Sequence, residues 1–142
     1  MSGVLPKPRN AGRRRTEAGR NINVVMDYRN MKLIYPTFSK HLFYFRMHIS
    51  KYILENGDVP LNPFMIHEYF LLDTIDRDKI RASNNALVER ADELWVFGKI
   101  SNGVMAEIQL AKKSKKPIRY FEVIASKDIK EISEKEVELE EI

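Results

Sequence analysis

A serine, a glycine and a glutamate stand at helical spacing in one stretch of this chain, at Ser101, Gly103 and Glu107. Ser101 is a favourable N-cap, which predicts a helix from this point to about Lys113. A glycine in the first turn leaves the backbone N–H groups at the positive helix end open to an anionic ligand. Glu107 lies one turn above Gly103, so its carboxylate could face such a ligand. The alternative is a solvated glutamate on the helix flank, the ordinary role of this residue type.

A buried strand precedes this helix. Residues 94–97 are an unbroken apolar run, as expected of a parallel strand covered on both faces, and Gly98 ends it. The helix itself carries an apolar stripe at i, i+4 and i+7, formed by Val104, Ile108 and Ala111. Open α/β sheets bind ligands at the carboxyl ends of their strands. This strand and helix therefore place Glu107 beside the crevice where a ligand is expected.

The motif Ser101-Asn102-Gly103, followed by Glu107 and Ala111 after an Ala-Asp-hydrophobic strand, resembles the signature of the nucleoside 2-deoxyribosyltransferase superfamily. That superfamily includes the deoxynucleoside monophosphate N-glycosidases. The resemblance covers roughly residues 32–123. It implies that Ser101 and the adjoining Asn102 bind a substrate phosphate and that Gly103 opens the loop. It also implies that Glu107 is the nucleophile that attacks the sugar C1′.

One position departs from the pattern of these relatives, which use an aspartate as the acid on the helix before the central strand. Counting back eight residues from Asp92 gives Asn84. Asparagine can hydrogen-bond a sugar hydroxyl or a base edge, but it cannot serve as an acid near neutral pH. We therefore assign Asn84 to the catalytic site without the acid's role. If the helix lay differently, the acid could be one of three nearby residues, Asp73, Asp76 and Asp78.

The loop after the first strand also departs from the relatives, which carry a small, glycine-containing segment there. This chain has Pro36 to Ser39 instead. Tyr35 could be the pocket tyrosine of the relatives, or a packing residue of the strand. Thr37 or Ser39 could contact a phosphate, or cap the helix that follows.

Strand and helix patterns alternate along the chain, which predicts an α/β fold: a three-layer α/β/α sandwich with four to five mostly parallel strands. The resemblance implies a flavodoxin-like strand order, of Rossmannoid type. Strands are predicted over residues 32–35 (ended by Pro36), 94–97 and 117–124, and helices over residues 39–55, 76–90, 101–113 and 128–132. Residues 58–64 are predicted to carry a short strand that Pro60 and Pro63 interrupt, with an early exit into a loop. Residues 65–72 are a short helix or a lid, in which His67 and Tyr69 contact a base or have ordinary structural roles.

Charge divides the chain into three regions. Residues 1–30 form a basic, flexible extension that includes Arg13, Arg14 and Arg15, and residues 126–142 form a loose acidic tail. The α/β domain occupies residues 31–125. The basic cluster could bind the phosphates of nucleic acid, or it could be solvated.

Composition excludes some classes of site. The 142 residues include no cysteine, which excludes disulfides and thiolate metal sites and fits a cytoplasmic protein. There is no apolar run of 18 residues or more and no signal-peptide pattern, so we expect no membrane partner. Neither a metal nor an organic cofactor is implied.

Three functions follow from the sequence. The first is cleavage of an N-glycosidic bond, or deoxyribosyl transfer, on a small-molecule nucleoside or nucleotide through Glu107. The second is a non-catalytic nucleotide-binding module of the same fold. The third is association with nucleic acid through the arginine-rich start of the chain. Relatives usually form homo-oligomers whose subunits complete each other's pocket, so the resemblance also implies a homo-oligomer.

Overall fold

The computed structural model of the chain describes residues 27–68 and 71–141. Its centre is a five-stranded sheet in the order β2-β1-β3-β4-β5. The strands are β1 (Leu33–Phe38), β2 (Val59–Pro60), β3 (Glu93–Phe97), β4 (Ile118–Ile124) and β5 (Asp128–Ile132). The first four are parallel, and β5 pairs antiparallel with β4. This is the flavodoxin-like order, and the predicted mostly parallel sheet is confirmed.

Helices cover both faces of the sheet and make the predicted three-layer α/β/α sandwich. They are α1 (Arg46–Glu55), α2 (Pro63–Ile66), α3 (Leu71–Thr74), α4 (Arg77–Arg90) and α5 (Asn102–Lys113). A 3-10 turn over Lys40–Phe45 leads into α1, so only the second part of the helix predicted over residues 39–55 is α-helical. In the part of the chain that the structure describes, no helix is both long and apolar enough to cross a membrane.

Each face of the sheet has a hydrophobic core, and strand β3 contributes side chains to both because they alternate between the two faces. Leu94 and Val96 pack with the apolar stripe of α5 on one face. Trp95 and Phe97 pack with the buried residues of α1 on the other. All five residues of the strand are buried, and the apolar run over residues 94–97 predicts this for the last four.

Strand β1 continues through Pro36, so the prediction that this proline ends the strand is wrong. Residues two apart in a strand direct their backbone groups to the same neighbour. The carbonyl of Ile34 accepts a hydrogen bond from Leu61 on the β2 side, so the nitrogen of Pro36 faces that side too. Strand β2 ends at Pro60, the first of the two prolines predicted to interrupt the short strand within residues 58–64. Pro36 therefore removes no hydrogen bond from the ladder.

Residues 128–132 form a strand, so the predicted helix there is wrong. The β4–β5 hairpin turns through Ala125 and Ser126, both with positive φ (54° and 55°). The segment that follows returns to the body of the domain rather than forming a loose tail. Leu139 makes a parallel bridge with Ile100, just before helix α5.

Candidate active site

Glu107 is held by two hydroxyl groups from strand β1. The phenol of Tyr35 donates to Oε2 at 2.8 Å, and the hydroxyl of Thr37 donates to Oε1 at 2.6 Å. Each carboxylate oxygen therefore has its own donor. The Glu107 side chain is fixed in one orientation rather than solvated on the helix flank.

The periodicities of a strand and a helix bring these groups together. Tyr35 and Thr37 are two residues apart in β1, so both point to the face that helix α5 covers. Both are buried. Val104 and Ile108 of the α5 stripe pack against this face of the sheet. Glu107 lies between them in sequence, at the edge of the stripe. The carboxylate consequently reaches the two hydroxyls.

This environment changes the acid–base chemistry of the carboxylate. Burial raises the pKa of the Glu107 carboxyl above its usual range, and the hydrogen bonds from Thr37 and Tyr35 oppose the rise. Burial also raises the pKa of the Tyr35 phenol, and the charge and hydrogen bond of Glu107 raise it further, so the phenol stays a neutral donor. An ionised Glu107 keeps two donors and is half-buried, a setting in which a carboxylate can act as a nucleophile or a base.

The start of helix α5 lies beside this carboxylate. Ser101 is the N-cap, and its side chain accepts the N–H of Val104 at 3.3 Å. The two preceding amides belong to Asn102 and Gly103, and the first amides of a helix have no acceptor within it. A Cβ placed on Gly103 would meet no heavy atom of residues 27–68 and 71–141 within 4 Å, so these residues leave the space over this turn open. A ligand can therefore reach both amides.

A cleft of about 1360 Å³ joins these groups. It has room for a nucleotide, since pockets for drug-sized molecules commonly measure about 300–1000 Å³. It lies where β1 and β3 end, and the strand order reverses between these two strands, which is the usual ligand position in such sheets. All seven residues that the sequence assigned to the site line this cleft: Tyr35, Thr37, Asn84, Ser101, Asn102, Gly103 and Glu107.

Asn84 lines the cleft from helix α4 and is bonded to a histidine. Its Oδ1 lies 3.2 Å from Nε2 of His67, which follows α2, and the hydroxyl of Ser83 lies 3.3 Å from the same nitrogen. Of the three aspartates considered as a replacement acid, Asp73 lines the cleft. Asp76 instead caps α4 by accepting the amide of Asp78.

Sequence reasoning missed several charged residues of the cleft. Arg77 and Arg81 precede Asn84 by seven and three residues, so the helical spacing of α4 could have placed all three on one face. No sequence spacing placed Glu140 and Glu141 in the cleft, because they reach it only when the C-terminal segment returns to Ile100. Tyr69 and the cluster Arg13–Arg15 fall outside the described residues.

The cleft shows no metal-binding pattern. In residues 27–68 and 71–141, no three His, Asp or Glu side chains are grouped closely enough to hold a metal ion.

Comparison with known proteins gives a family but no activity. No curated protein matches the chain. One family model, described as a domain of unknown function, matches residues 38–121, which is more than half of the chain. The matched segment includes Asn84 and the whole Ser101 to Glu107 motif, but not Tyr35 or Thr37. The chain belongs to this family, the domain of unknown function DUF7768.

Proposed function

We propose that this protein cleaves the N-glycosidic bond of a nucleoside or nucleotide, or transfers its deoxyribosyl group, with Glu107 as the nucleophile. The observation that carries the proposal is the pair of hydrogen bonds from Tyr35 and Thr37, which fix a half-buried carboxylate in a large cleft. The resemblance to the nucleoside 2-deoxyribosyltransferase superfamily supports the same role for this residue.

The reaction has two steps. In the first, a carboxylate oxygen of Glu107 bonds to C1′ of the sugar while the C1′–N bond breaks, and the electron pair leaves with the base, which takes up a proton. In the second, water or the nitrogen of another base displaces the carboxylate from C1′. Water completes hydrolysis and a second base completes transfer, and both regenerate Glu107.

The start of α5 is the proposed site for the 5′ end of the substrate. The amides of Asn102 and Gly103 and the positive end of the helix favour an anion there. The described cleft lining carries a mixture of charges, with Lys40, Arg77 and Arg81 opposed by Asp73, Glu107, Glu140 and Glu141. Net charge therefore does not select a nucleotide over a nucleoside. The helix start would supply that selection.

A non-catalytic nucleotide-binding module is the second candidate, and one observation favours it. Asn84 stands where relatives carry their acid, and an amide cannot protonate a departing base. A binding module would hold a deoxynucleotide in the same cleft without releasing a free base. The two candidates therefore differ in a single measurable product.

The test is incubation with each of the four deoxynucleosides and their 5′-monophosphates, followed by chromatography for free base. We expect base release that Glu107→Gln reduces by at least 1000-fold, since loss of an activated nucleophile costs several orders of magnitude. Acid quenching during turnover should leave the sugar attached to the peptide that contains Glu107, as an added mass.

The matched control is Glu89→Gln, on an exposed part of α4 outside the cleft lining. It should leave the rate unchanged. Base release that survives Glu107→Gln would remove the proposed nucleophile. Tight binding of a deoxynucleotide without any base release would favour the binding module.

The proposal extends to location and assembly. We place the reaction in the cytoplasm, which fits a chain without cysteine. We also propose a homo-oligomer, as the resemblance implies, which light scattering of the purified protein would measure.

A further inference from the structure

An imidazole lies in the cleft with its ring orientation fixed. His67 is half-buried, follows helix α2, and lines the same cleft as Glu107. Its Nε2 lies within hydrogen-bond distance of Asn84 and Ser83, two neighbouring residues of α4. A carbonyl oxygen only accepts hydrogen bonds, so the contact with Oδ1 of Asn84 requires a hydrogen on Nε2. Among residues 27–68 and 71–141, Nδ1 is then the ring nitrogen that has no hydrogen-bond partner.

The proposed reaction needs a proton donor, because a base leaves poorly as an anion. Apart from Glu107 and the two arginines, six charged or titratable side chains in the described lining can be considered: Tyr35, Lys40, His67, Asp73, Glu140 and Glu141. The proton of Tyr35 is engaged with Glu107. Lys40, Asp73 and Glu141 are exposed, and Glu140 lies 3.9 Å from Nε2 of His41. His67 alone in this set is both half-buried and bonded to a second wall residue of the cleft.

We propose that His67 is the general acid that protonates the departing base, and that Asn84 is a positioning residue that holds its ring. This inference rests on the proposed function of Glu107. Histidine is the side chain most often used for such proton transfers, because it ordinarily changes its charge between pH 5 and 8. The amide of Asn84 thus has a role at a position where it cannot itself supply a proton.

The proton balance follows from this assignment. As Glu107 bonds to C1′ and the C1′–N bond breaks, the electron pair on the base nitrogen takes the proton from Nδ1 of the His67 imidazolium. The neutral imidazole keeps its hydrogen on Nε2 and its bond to Asn84. In the second step it takes a proton from the attacking water or incoming base, and both residues return to their starting states.

The test compares leaving groups that do and do not need a proton. Deoxyguanosine and deoxyinosine, as nucleosides and 5′-monophosphates, are assayed with and without a methyl group on N7. The methylated base already carries a positive charge, so it leaves as a neutral molecule. We expect His67→Gln to lower base release from the unmethylated substrates by about 100-fold or more. Release from the methylated substrates, above their spontaneous rate, should change by less than about threefold.

Glutamine is chosen because its side-chain N–H can replace Nε2–H as the donor to Asn84, which separates proton transfer from support of the fold. His48→Gln, on an exposed position of α1, is the matched control and should change neither rate. Equal loss on both substrate types, or no loss on either, would overturn the role of His67 while leaving Glu107 in place. If the wild-type protein releases base from neither type, the proposed function fails and this inference fails with it.

Discussion

At the scale of the residue, burial and hydrogen bonding have opposite effects on the pKa of the Glu107 carboxyl. Burial disfavours its charged form, and the hydroxyls of Tyr35 and Thr37 favour it. Because burial is the larger effect, the folded protein binds the proton of this carboxyl more tightly than the unfolded chain does. Ionised Glu107 therefore costs stability, as is common where a reactive group is kept out of water.

This balance predicts that Glu107→Gln makes the protein more stable while removing the proposed base-release activity. When a carboxyl has a raised pKa in the folded state, stability falls as pH rises from the unfolded value through the folded value. The neutral amide avoids that cost. We expect a gain on the order of 1 kcal/mol at pH 7, or about 2–4 °C in Tm for a chain of this size. Thermal unfolding at several pH values measures it.

The gain should disappear below pH 4, where Glu107 is protonated in the folded and the unfolded chain alike. Glu89→Gln on the exposed surface of α4 should show no such dependence on pH. A loss of stability at pH 7 in Glu107→Gln would mean that the two hydroxyl bonds outweigh burial, contrary to the direction of the pKa shift.

At the scale of the element, Gly98 just after β3 and Gly103 in the first turn of α5 have opposite reasons for lacking a side chain. Gly98 has a positive φ of 79°, and a Cβ there would lie 2.7 Å from Cδ1 of Leu42. The fold itself therefore requires glycine at this position. A Cβ at Gly103 would meet no atom of the described part of the chain within 4 Å, so no contact there requires glycine. Its small size matters only to a molecule that enters the cleft.

The two alanine substitutions should consequently separate folding from function. Gly98→Ala should destabilise the protein by about 1–3 kcal/mol through strain and contact with Leu42. Gly103→Ala should stabilise α5 by up to about 1 kcal/mol, because alanine is the better helix former. It should nonetheless lower kcat/KM for base release at least tenfold. Urea unfolding and the base-release assay measure the two effects.

Leu42→Ala in the Gly98→Ala background should recover only part of the loss, because the positive φ remains. If Gly103→Ala kept full activity, the substrate would not approach the first turn of α5, and the proposed place for its 5′ end would be wrong.

Patterns of consecutive residues predicted β3 and α5 correctly. They failed at β1 and at the β4–β5 hairpin. The apolar run of β3 and the cap and stripe of α5 are properties of consecutive residues, and they are confirmed. Pro36 is tolerated in β1 only because β2 is too short to need its N–H. The β4–β5 hairpin turns at Ala125 and Ser126 without the glycine or asparagine that usually marks positive φ. Spacing alone therefore could not find it.

The candidate site likewise has a part that sequence spacing predicts and a part that only the three-dimensional structure shows. The spacing of Ser101, Gly103 and Glu107 along one helix was visible in the sequence. The contact between Glu107 and β1, the bond between Asn84 and His67, and the approach of Glu140 all join residues far apart in the chain. They depend on the sheet order and on the return of the C-terminal segment, which no local pattern contains.

At the scale of the whole molecule, charged groups connect four strands across the α1 face of the sheet. Lys32, just before β1, binds Glu93 of β3 at 2.8 Å, and Arg119 of β4 forms two hydrogen bonds with Glu131 of β5 at 2.9 and 2.7 Å. The Trp95 ring lies between the two pairs: its Nε1 donates to Glu93 at 2.8 Å, and the Arg119 guanidinium lies 4.6 Å from its centroid.

Both carboxylates of this row have pKa values below the usual range. Burial raises the pKa of Glu93, but hydrogen bonds from Lys32 and Trp95 and the nearby positive charges outweigh it. The hydrogen bonds from Arg119 are the main cause of the lowered pKa of Glu131. Each group therefore contributes stability above its unfolded pKa and loses that contribution as pH falls through its folded pKa. This is the opposite of the behaviour of Glu107.

We therefore expect the free energy of unfolding to decline as pH falls below about 4.5, and Glu93→Gln to flatten that decline. At pH 7 the same substitution should cost about 1–3 kcal/mol, because it removes the charged acceptor of Lys32 and retains only a neutral one for Trp95. Urea unfolding between pH 3 and pH 7 measures both effects. Glu131→Gln should act in the same direction but less strongly, since the Glu131 side chain is more exposed to solvent than that of Glu93. An acid decline as steep in Glu93→Gln as in the wild type would place the acid-sensitive groups elsewhere, and the row would then have no measurable part in holding the four strands together.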